Sequence, residues 1–148
     1  MTENTEVQSP PKQVGVLVVT HGSFGAALLE AAQMILGPQL GVDSVSVLVS
    51  KGVDEIVVAL KAGVANLDSG MGVMVLTDLF GGTPTTLSLS LLKGGNLEVV
   101  SGVNLPMLLK VLQGRQMKLP ELASQAKAAG QDGIKVPGEM LRKKPAGS

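Results

Sequence analysis

Residues 14–25 read VGVLVVTHGSFG, and this stretch decides the fold of the chain. Val14–Val19 is a β-branched apolar run with the length and composition of a buried strand. The run ends in THGS, residues 20–23, and apolar residues at helical spacing begin directly afterwards. A strand followed at once by a helix is the first half of a β-α-β unit, so this stretch indicates an α/β protein.

The same alternation continues along the chain. Further strands are predicted over 42–49, 71–76 and 97–100, with a short last strand over 134–136. Helices are predicted between them, over residues 25–36, 54–67, 84–95, 106–112 and 119–129. Short connections between alternating strands and helices favour a parallel sheet covered on both faces. The predicted fold is therefore a doubly wound three-layer α/β/α sandwich with a mainly parallel sheet.

The segment TPTTLSLSLLKGG, residues 83–95, fits two interpretations. Its leucines alternate as in a strand, but apolar residues also recur four positions apart as in a helix. The flanking residues favour the helix, because Thr83 suits an N-cap and Pro84 suits the first helical position. Two glycines at 94–95 suit the C-terminal end.

One domain is predicted over residues 14–136, preceded by a polar, disordered tail over 1–13 and followed by a tail over 137–148. The 12 basic and 12 acidic residues balance, and neither a basic surface nor an aromatic platform for nucleic acid is present. The absence of cysteine excludes disulfides and thiolate chemistry. Without a signal peptide or a long apolar run, we expect a cytoplasmic protein.

Three loops that follow predicted strands are rich in glycine and small polar residues, and parallel strands gather such loops at one edge of the sheet. The first holds His21, the only histidine of the chain. The second holds Asp78, the only acid in the three loops. A carboxylate that accepts the imidazole Nδ1–H fixes the tautomer and leaves the Nε2 lone pair free. His21 with Asp78 is the candidate catalytic pair.

Gly81, Gly82 and Thr83 precede the helix that is predicted to begin at Pro84. Free N–H groups and the positive dipole end at such a helix start suit a phosphoryl group. Together with a nucleophilic imidazole nitrogen, this pattern favours phosphoryl transfer through histidine. Each feature alone also fits an ordinary turn, helix start or loop cap, and the residues by themselves leave both interpretations open.

The motifs VLVVTHGSFG, VLTDLFGGTP and VSGVNLPMLLKVL resemble enzyme IIA of the mannose family in the bacterial sugar phosphotransferase system, over about residues 14–136. The resemblance implies that His21 is transiently phosphorylated on Nε2 and that Asp78 orients it. It also implies that Gly81, Gly82 and Thr83 hold the phosphoryl group.

The resemblance names partners as well. The donor is the histidine-containing phosphocarrier protein and the acceptor a IIB protein, with association at a membrane permease. A homodimer is implied, in which the C-terminal strand crosses to the partner subunit. No cofactor and no metal are implied.

Three other hypotheses remain open at this point. The chain could be the phosphoryl-accepting subunit of a dihydroxyacetone kinase system, or a regulator controlled by phosphorylation of His21. A hydrolase that uses Thr20 or Ser23 with His21 as base lacks the expected G-x-S-x-G turn.

Overall fold

A computed structural model describes residues 11–48, 50–94 and 96–143. Its elements, in chain order, are β1 (Gly15–His21), α1 (Phe24–Leu36), β2 (Val42–Val47), α2 (Val53–Leu67), β3 (Val73–Thr77), α3 (Thr83–Leu89), a 3₁₀ turn (Leu92–Gly94), β4 (Leu97–Ser101), α4 (Leu105–Gln113), α5 (Leu119–Asp132) and α6 (Pro137–Arg142). The strands and helices that the apolar spacing predicts are present, apart from the last strand and the second half of the helix predicted over 84–95, since α3 ends at Leu89 and a 3₁₀ turn follows.

The four strands form one parallel sheet in the order β2-β1-β3-β4. β1 lies in the centre, where it pairs with β2 on one side and β3 on the other. Its central position explains why the run after Val14 is apolar without alternation, since both faces of the strand are covered.

Successive residues of β1 face opposite layers of the protein. Val16 and Val18 pack into a core formed with α1, α4 and α5. Leu17 and Val19 pack into a second core formed with α2 and, through Leu87, α3. Helices therefore cover both faces of the sheet, and the predicted three-layer α/β/α fold is confirmed.

The predicted strand over 134–136 is not present in the described part of the chain. A strand needs a neighbouring ladder for its backbone groups, whereas the groups at both ends of this segment form helical turns. The Ile134 N–H donates to Gln131 O, and the Glu139 N–H donates to Val136 O. Pro137, whose ring favours the first turn of a helix, then begins α6, which the sequence pattern did not predict.

Two further expectations concern the N-cap of α3 and the boundaries of the domain. Thr83 is not an N-cap, because the extended Gly82 occupies that position and Thr83 is the first residue of α3. The predicted N-terminal tail lies outside the described residues over 1–10, and the domain boundaries at 14 and 136 stay predictions. No helix of the described chain is long and apolar enough to cross a membrane.

Candidate functional site

His21 is the last residue of β1, and its side chain is the point at which that strand emerges from the core. The six preceding residues of the strand are buried, whereas the His21 side chain is 51% exposed. Gly22 turns the chain with a φ of 55°, and its N–H donates to Val47 O of β2 at 3.1 Å. The end of the central strand therefore holds the imidazole at the surface on a rigid backbone.

Asp78 directly follows β3, the strand next to β1, and its carboxylate makes two hydrogen bonds with His21. Oδ2 lies 2.9 Å from His21 Nδ1 and accepts the His21 backbone N–H at 2.9 Å. The Asp78 side chain is only 15% exposed, so the exposed ring is held by a largely buried carboxylate. The pair that the sequence predicts is brought together, and one oxygen fixes both the backbone and the ring of His21.

The ionisation of Asp78 follows from these contacts. Burial raises the pKa of Asp78, but the backbone N–H and the imidazole of His21 lower it by more, so that the net pKa lies below the ordinary 3.8. At neutral pH the group is therefore a carboxylate, which can only accept a hydrogen bond.

The tautomer of His21 is set by this acceptor. Because a carboxylate cannot donate, the proton between the two groups belongs to Nδ1 of the ring. Nε2 then carries the lone pair, and among the described residues it has no hydrogen-bond partner. The arrangement presents a nucleophilic nitrogen on a half-exposed ring.

The three candidate phosphoryl-binding residues lie on the loop that carries Asp78 to α3. Gly82 is the nearest to the ring, since a Cβ built at this position would lie 3.1 Å from His21 Cε1. Gly81 has a φ of 84°, a conformation that L residues with side chains rarely adopt. Thr83 is exposed at the first position of α3.

Hydrogen-bond donors are available in this loop. The Gly82 N–H makes a long bond of 3.3 Å to Leu79 O. Within the described chain, the N–H groups of Gly81 and Thr83 donate to no other residue. The loop thus offers unpaired N–H groups and an exposed hydroxyl on the residues that flank Gly82, and Gly82 leaves room beside the ring that any side chain would occupy.

Exposed apolar side chains surround the carboxyl ends of the strands. We call this set the apolar rim; its members are Phe24, Leu48, Val53, Leu79 and Phe80. It includes both phenylalanines of the chain, and Phe80 is 79% exposed. Large apolar side chains are thus exposed at the edge of the sheet that carries His21 and Asp78.

Thr20 does not act as a nucleophile in this structure. Its side chain is fully buried, and Oγ1 accepts the Gly25 N–H of the first turn of α1 at 2.7 Å. The hydroxyl is therefore engaged as a hydrogen-bond acceptor for the first turn of α1. This geometry removes Thr20 from the hydrolase hypothesis.

A pair of buried hydroxyls beneath the site was not predicted. Thr77 Oγ1 and Thr85 Oγ1 lie 2.6 Å apart, and Thr85 Oγ1 lies 2.6 Å from Leu79 O. Both side chains are at most 2% exposed. Neither threonine carries a pattern that distinguishes it from other threonines of strand ends and first helical turns, so the sequence held no signal for this contact.

The third loop supports the site from the outer strand. The Val103 N–H donates to Thr77 O at 2.9 Å, whereas Asn104 turns towards α4 and α5. Among the described residues, no group of three or more histidine or acidic side chains is placed to hold a metal ion.

Comparisons with known proteins identify the family of the chain. The model of the EIIA-man family, described as the PTS system fructose IIA component, matches residues 15–127. The chain is 31% identical over 135 residues to the PTS system mannose-specific EIIAB component of Escherichia coli (strain K12), a match over 89% of this chain and 41% of that protein. The chain thus spans about two fifths of the length of that relative.

A relative of similar length is the PTS system fructose-specific EIIA component of Bacillus subtilis (strain 168), which is 30% identical over 132 residues, 88% of this chain and 90% of that protein. The crystal structure of the PTS IIA protein associated with the fucose utilization operon from Streptococcus pneumoniae superposes with a TM-score of 0.80 at 28% identity. It covers 90% of this chain and 100% of that one. The chain belongs to the EIIA-man family of phosphotransferase system IIA components.

Proposed function

From its place in the EIIA-man family, we propose that this protein is a phosphohistidine carrier in sugar uptake or its regulation. His21 accepts a phosphoryl group from the histidine-containing phosphocarrier protein and passes it to a IIB protein. The observation that carries the proposal is the 2.9 Å contact between His21 Nδ1 and Asp78 Oδ2 on a ring that is half exposed. This contact leaves Nε2 as the free nucleophile.

The transfer step makes one bond and breaks one. The Nε2 lone pair of His21 forms a bond to phosphorus while the bond between phosphorus and the donor's histidine nitrogen breaks, and the donor's ring keeps that electron pair. Transfer to the IIB protein repeats the step with His21 as the leaving group. The Nδ1 proton of His21 stays on the ring in both directions.

Asp78 supports this step by its charge. Positive charge develops on the imidazole as Nε2 bonds to phosphorus, and a carboxylate at Nδ1 stabilises it. Because the His21 N–H and ring keep Asp78 ionised at neutral pH, the charge is in place before the donor arrives. No reorganisation of the pair is needed during the reaction.

Gly81, Gly82 and Thr83 would hold the transferred group. Phosphoryl transfer spreads negative charge over the equatorial oxygens, and catalysis depends mainly on positioning and on donors to these oxygens. The N–H groups of Gly81 and Thr83, together with the Thr83 hydroxyl, are the candidate donors. Gly82 supports the assignment because the backbone beside His21 Cε1 has no side chain in the way.

The apolar rim is the proposed docking surface for both partners. Donor and acceptor must each bring a histidine to the same Nε2, so they bind in turn at the same edge of the sheet. Apolar side chains such as Phe24, Leu79 and Phe80 suit an association that must also come apart, because no charge pairs have to be broken on release.

A homodimer is also proposed, formed along the outer strand. β4 has only β3 beside it in the sheet, and a cleft of about 550 Å³ lies between β4 and α5, lined in part by Val99 and Met107. Ile134 and Val136 are 75% and 53% exposed. The family resemblance implies a C-terminal strand that crosses to the partner, matched here by residues 132–136, and the β4 edge is where we propose that it adds. Sedimentation equilibrium of the full chain tests it, and a monomer at micromolar concentration would contradict it.

The carrier function is tested by incubating the protein with phosphoenolpyruvate, enzyme I and the phosphocarrier protein. One acid-labile phosphoryl group per chain is expected, and mass spectrometry should place it on His21. His21→Ala should lose the label entirely, while the exposed Thr83→Ala should slow labelling but keep it. Failure of the wild-type protein to be labelled, or a label that survives His21→Ala, would contradict the proposal.

The identity of the acceptor separates the remaining hypotheses. Loss of the label to a IIB protein supports the transport chain, whereas loss to a nucleotide-loaded dihydroxyacetone kinase partner would replace it with the kinase system. A regulatory role is tested in cells. There, His21→Ala and the charged mimic His21→Glu would give opposite outputs although neither can transfer a phosphoryl group.

A further inference from the structure

Thr85 touches the chain on both sides of Asp78. Its Oγ1 lies 2.6 Å from Thr77 Oγ1, on the residue before the acid, and 2.6 Å from Leu79 O, on the residue after it. Thr85 itself belongs to α3 and is 2% exposed. On the buried side of the loop, the Thr85 hydroxyl is thus hydrogen-bonded to the residue before Asp78 and to the residue after it. We call these two hydrogen bonds the bracket.

The direction of the two hydrogen bonds follows from the chemistry of the groups. A backbone carbonyl can only accept, so the Thr85 hydroxyl donates its one proton to Leu79 O. The Thr77 hydroxyl must then donate to Thr85 Oγ1. Both bonds depend on Thr85, because a side chain without a hydroxyl at this position leaves Leu79 O with only the long bond from the Gly82 N–H and removes the acceptor of the Thr77 hydroxyl.

The apolar side chains of the loop do not hold it in the core. The side chains of Leu79 and Phe80 are 60% and 79% exposed, so neither anchors the loop in the core. The carbonyl that Thr85 holds also accepts the Gly82 N–H, at 3.3 Å. The carbonyl that Thr85 holds is thus linked both to Gly82, which the Thr86 N–H also holds at 3.0 Å, and to the residue after Asp78.

We propose that Thr85 is a positioning residue for phosphoryl transfer at His21. It touches neither the ring nor the incoming group and acts through the loop, by holding Asp78 Oδ2 against Nδ1 and Gly82 against the ring. This role rests on the proposed carrier function. Its effect on the tautomer of His21 does not, because the tautomer is a property of the resting protein.

The experiment compares Thr85→Val with Thr85→Ser and with a matched control. Valine keeps the β-branched shape and removes the hydroxyl, whereas serine keeps the hydroxyl. Ser88→Ala is the control, since Ser88 Oγ is also fully buried on α3 but donates to Pro84 O and does not touch the loop. The wild-type protein and the three variants are assayed for labelling by the phosphocarrier protein, and ¹⁵N NMR of the His21 ring reads its tautomer.

Thr85→Val should lower kcat for labelling about tenfold, because small displacements of a positioning group are costly in rate. KM for the phosphocarrier protein should change less than kcat, since Phe24, Leu48 and Val53 of the apolar rim lie outside this loop. The ring should show an increased share of the Nε2–H tautomer. Thr85→Ser should restore both kcat and the tautomer, and Ser88→Ala should leave both at wild-type values.

Wild-type kcat and tautomer in a folded Thr85→Val protein would overturn the proposal, and so would an equal loss of kcat in Ser88→Ala. If Thr85→Val does not fold, Thr77→Val tests the other arm of the bracket and should shift the tautomer in the same direction. Should the wild-type protein take no phosphoryl group at all, the carrier function fails, while the NMR comparison still decides the role of Thr85.

Discussion

At the edge where the strands begin, Arg115 lies 4% exposed and donates to the backbone carbonyls of Val14, Leu40 and Gly41 at 2.6 to 2.9 Å. At the edge where the strands end, His21 is half exposed and its ring makes one hydrogen bond, to Asp78. Each edge thus carries one hydrogen-bonded basic side chain. Arg115 is buried, whereas His21 is half exposed. The difference separates the part of the sheet that holds the fold from the part that carries the proposed reaction.

The two basic groups are stabilised in different ways. Within the described chain no carboxylate pairs with Arg115, and burial lowers the pKa of its guanidinium from its usual range. Three carbonyl dipoles compensate the charge instead of an acid. His21 has a carboxylate but little burial, so its ring can change its bonding partner without disturbing the core. We expect substitutions at the two edges to affect different measurements.

The largest effect is expected for Arg115→Met. The methionine fills part of the space but removes three charge-assisted hydrogen bonds and leaves the carbonyl of the fully buried Val14 without its side-chain donor. The lost bonds and the unsatisfied buried carbonyl together should lower the free energy of unfolding by about 3 kcal/mol. Urea denaturation measures the loss, and a melting temperature lower by roughly 10 °C should accompany it.

Arg142→Met removes the same charge from an exposed position and is the matched control, with no change expected. Below its melting temperature, Arg115→Met should be labelled at His21 at the wild-type rate. A folded Arg115→Met protein that is as stable as the wild type would refute the role of the guanidinium. A stable protein with slow labelling would show that the two edges are coupled.

Asp78→Asn should have the next largest effect. It should lower the rate of labelling and leave the fold intact. An amide oxygen can still accept the Nδ1–H, but it cannot stabilise the positive charge that develops on the ring, and a neutral hydrogen bond is roughly half as strong as one to a charge. Labelling should be about tenfold slower, which corresponds to about 1.4 kcal/mol. Rapid-quench measurement of the labelling rate checks it.

Asp54→Asn is the control for the lost charge, since Asp54 lies in the first turn of α2 and is exposed. It should be labelled normally. Unchanged rates in Asp78→Asn would remove the carboxylate from the mechanism, and unfolding of that variant would assign it a structural role in place of a functional one.

The smallest effect concerns the stability that the His21–Asp78 pair provides. Because the pKa of Asp78 is lowered in the folded protein, the unfolded chain binds the proton more readily as the pH falls. The stability that the carboxylate contributes is therefore present above the unfolded pKa, near 3.8, and is lost as the pH falls through the lower folded pKa. With one partner half exposed, the contribution should be about 1 kcal/mol or less.

Urea denaturation of the wild type and Asp78→Asn between pH 7 and pH 3 measures this contribution. The wild type should be the more stable protein at pH 7, and the difference should shrink as the pH falls below about 4. A difference that grows towards acid pH would contradict the lowered pKa.

Much of the fold could be predicted because its signals are local. The apolar run after Val14 and the helical spacing that follows it are properties of neighbouring residues, and both elements form as expected. The placement of His21 and Asp78 after adjacent strands also follows, since parallel strands end at one edge. The candidate pair was therefore visible in the order of the motifs.

Other expectations were wrong where two local preferences compete. Thr83 and Gly82 can both serve as an N-cap, and the extended backbone of Gly82 decides for the glycine. The segment 134–136 has strand composition, but in one chain no neighbouring ladder satisfies it, and Pro137 begins a helix next to it.

The sequence by itself determined the α/β alternation, the position of the single imidazole at a strand end, and the family. Only the tertiary structure decided that one oxygen of Asp78 holds both the ring and the backbone of His21, that Thr85 brackets that acid, and that Arg115 reaches Val14 across 101 positions of the chain. Local patterns report forces between residues a few positions apart. These contacts depend on strand register and helix packing, which bring distant residues together only when the whole chain has folded.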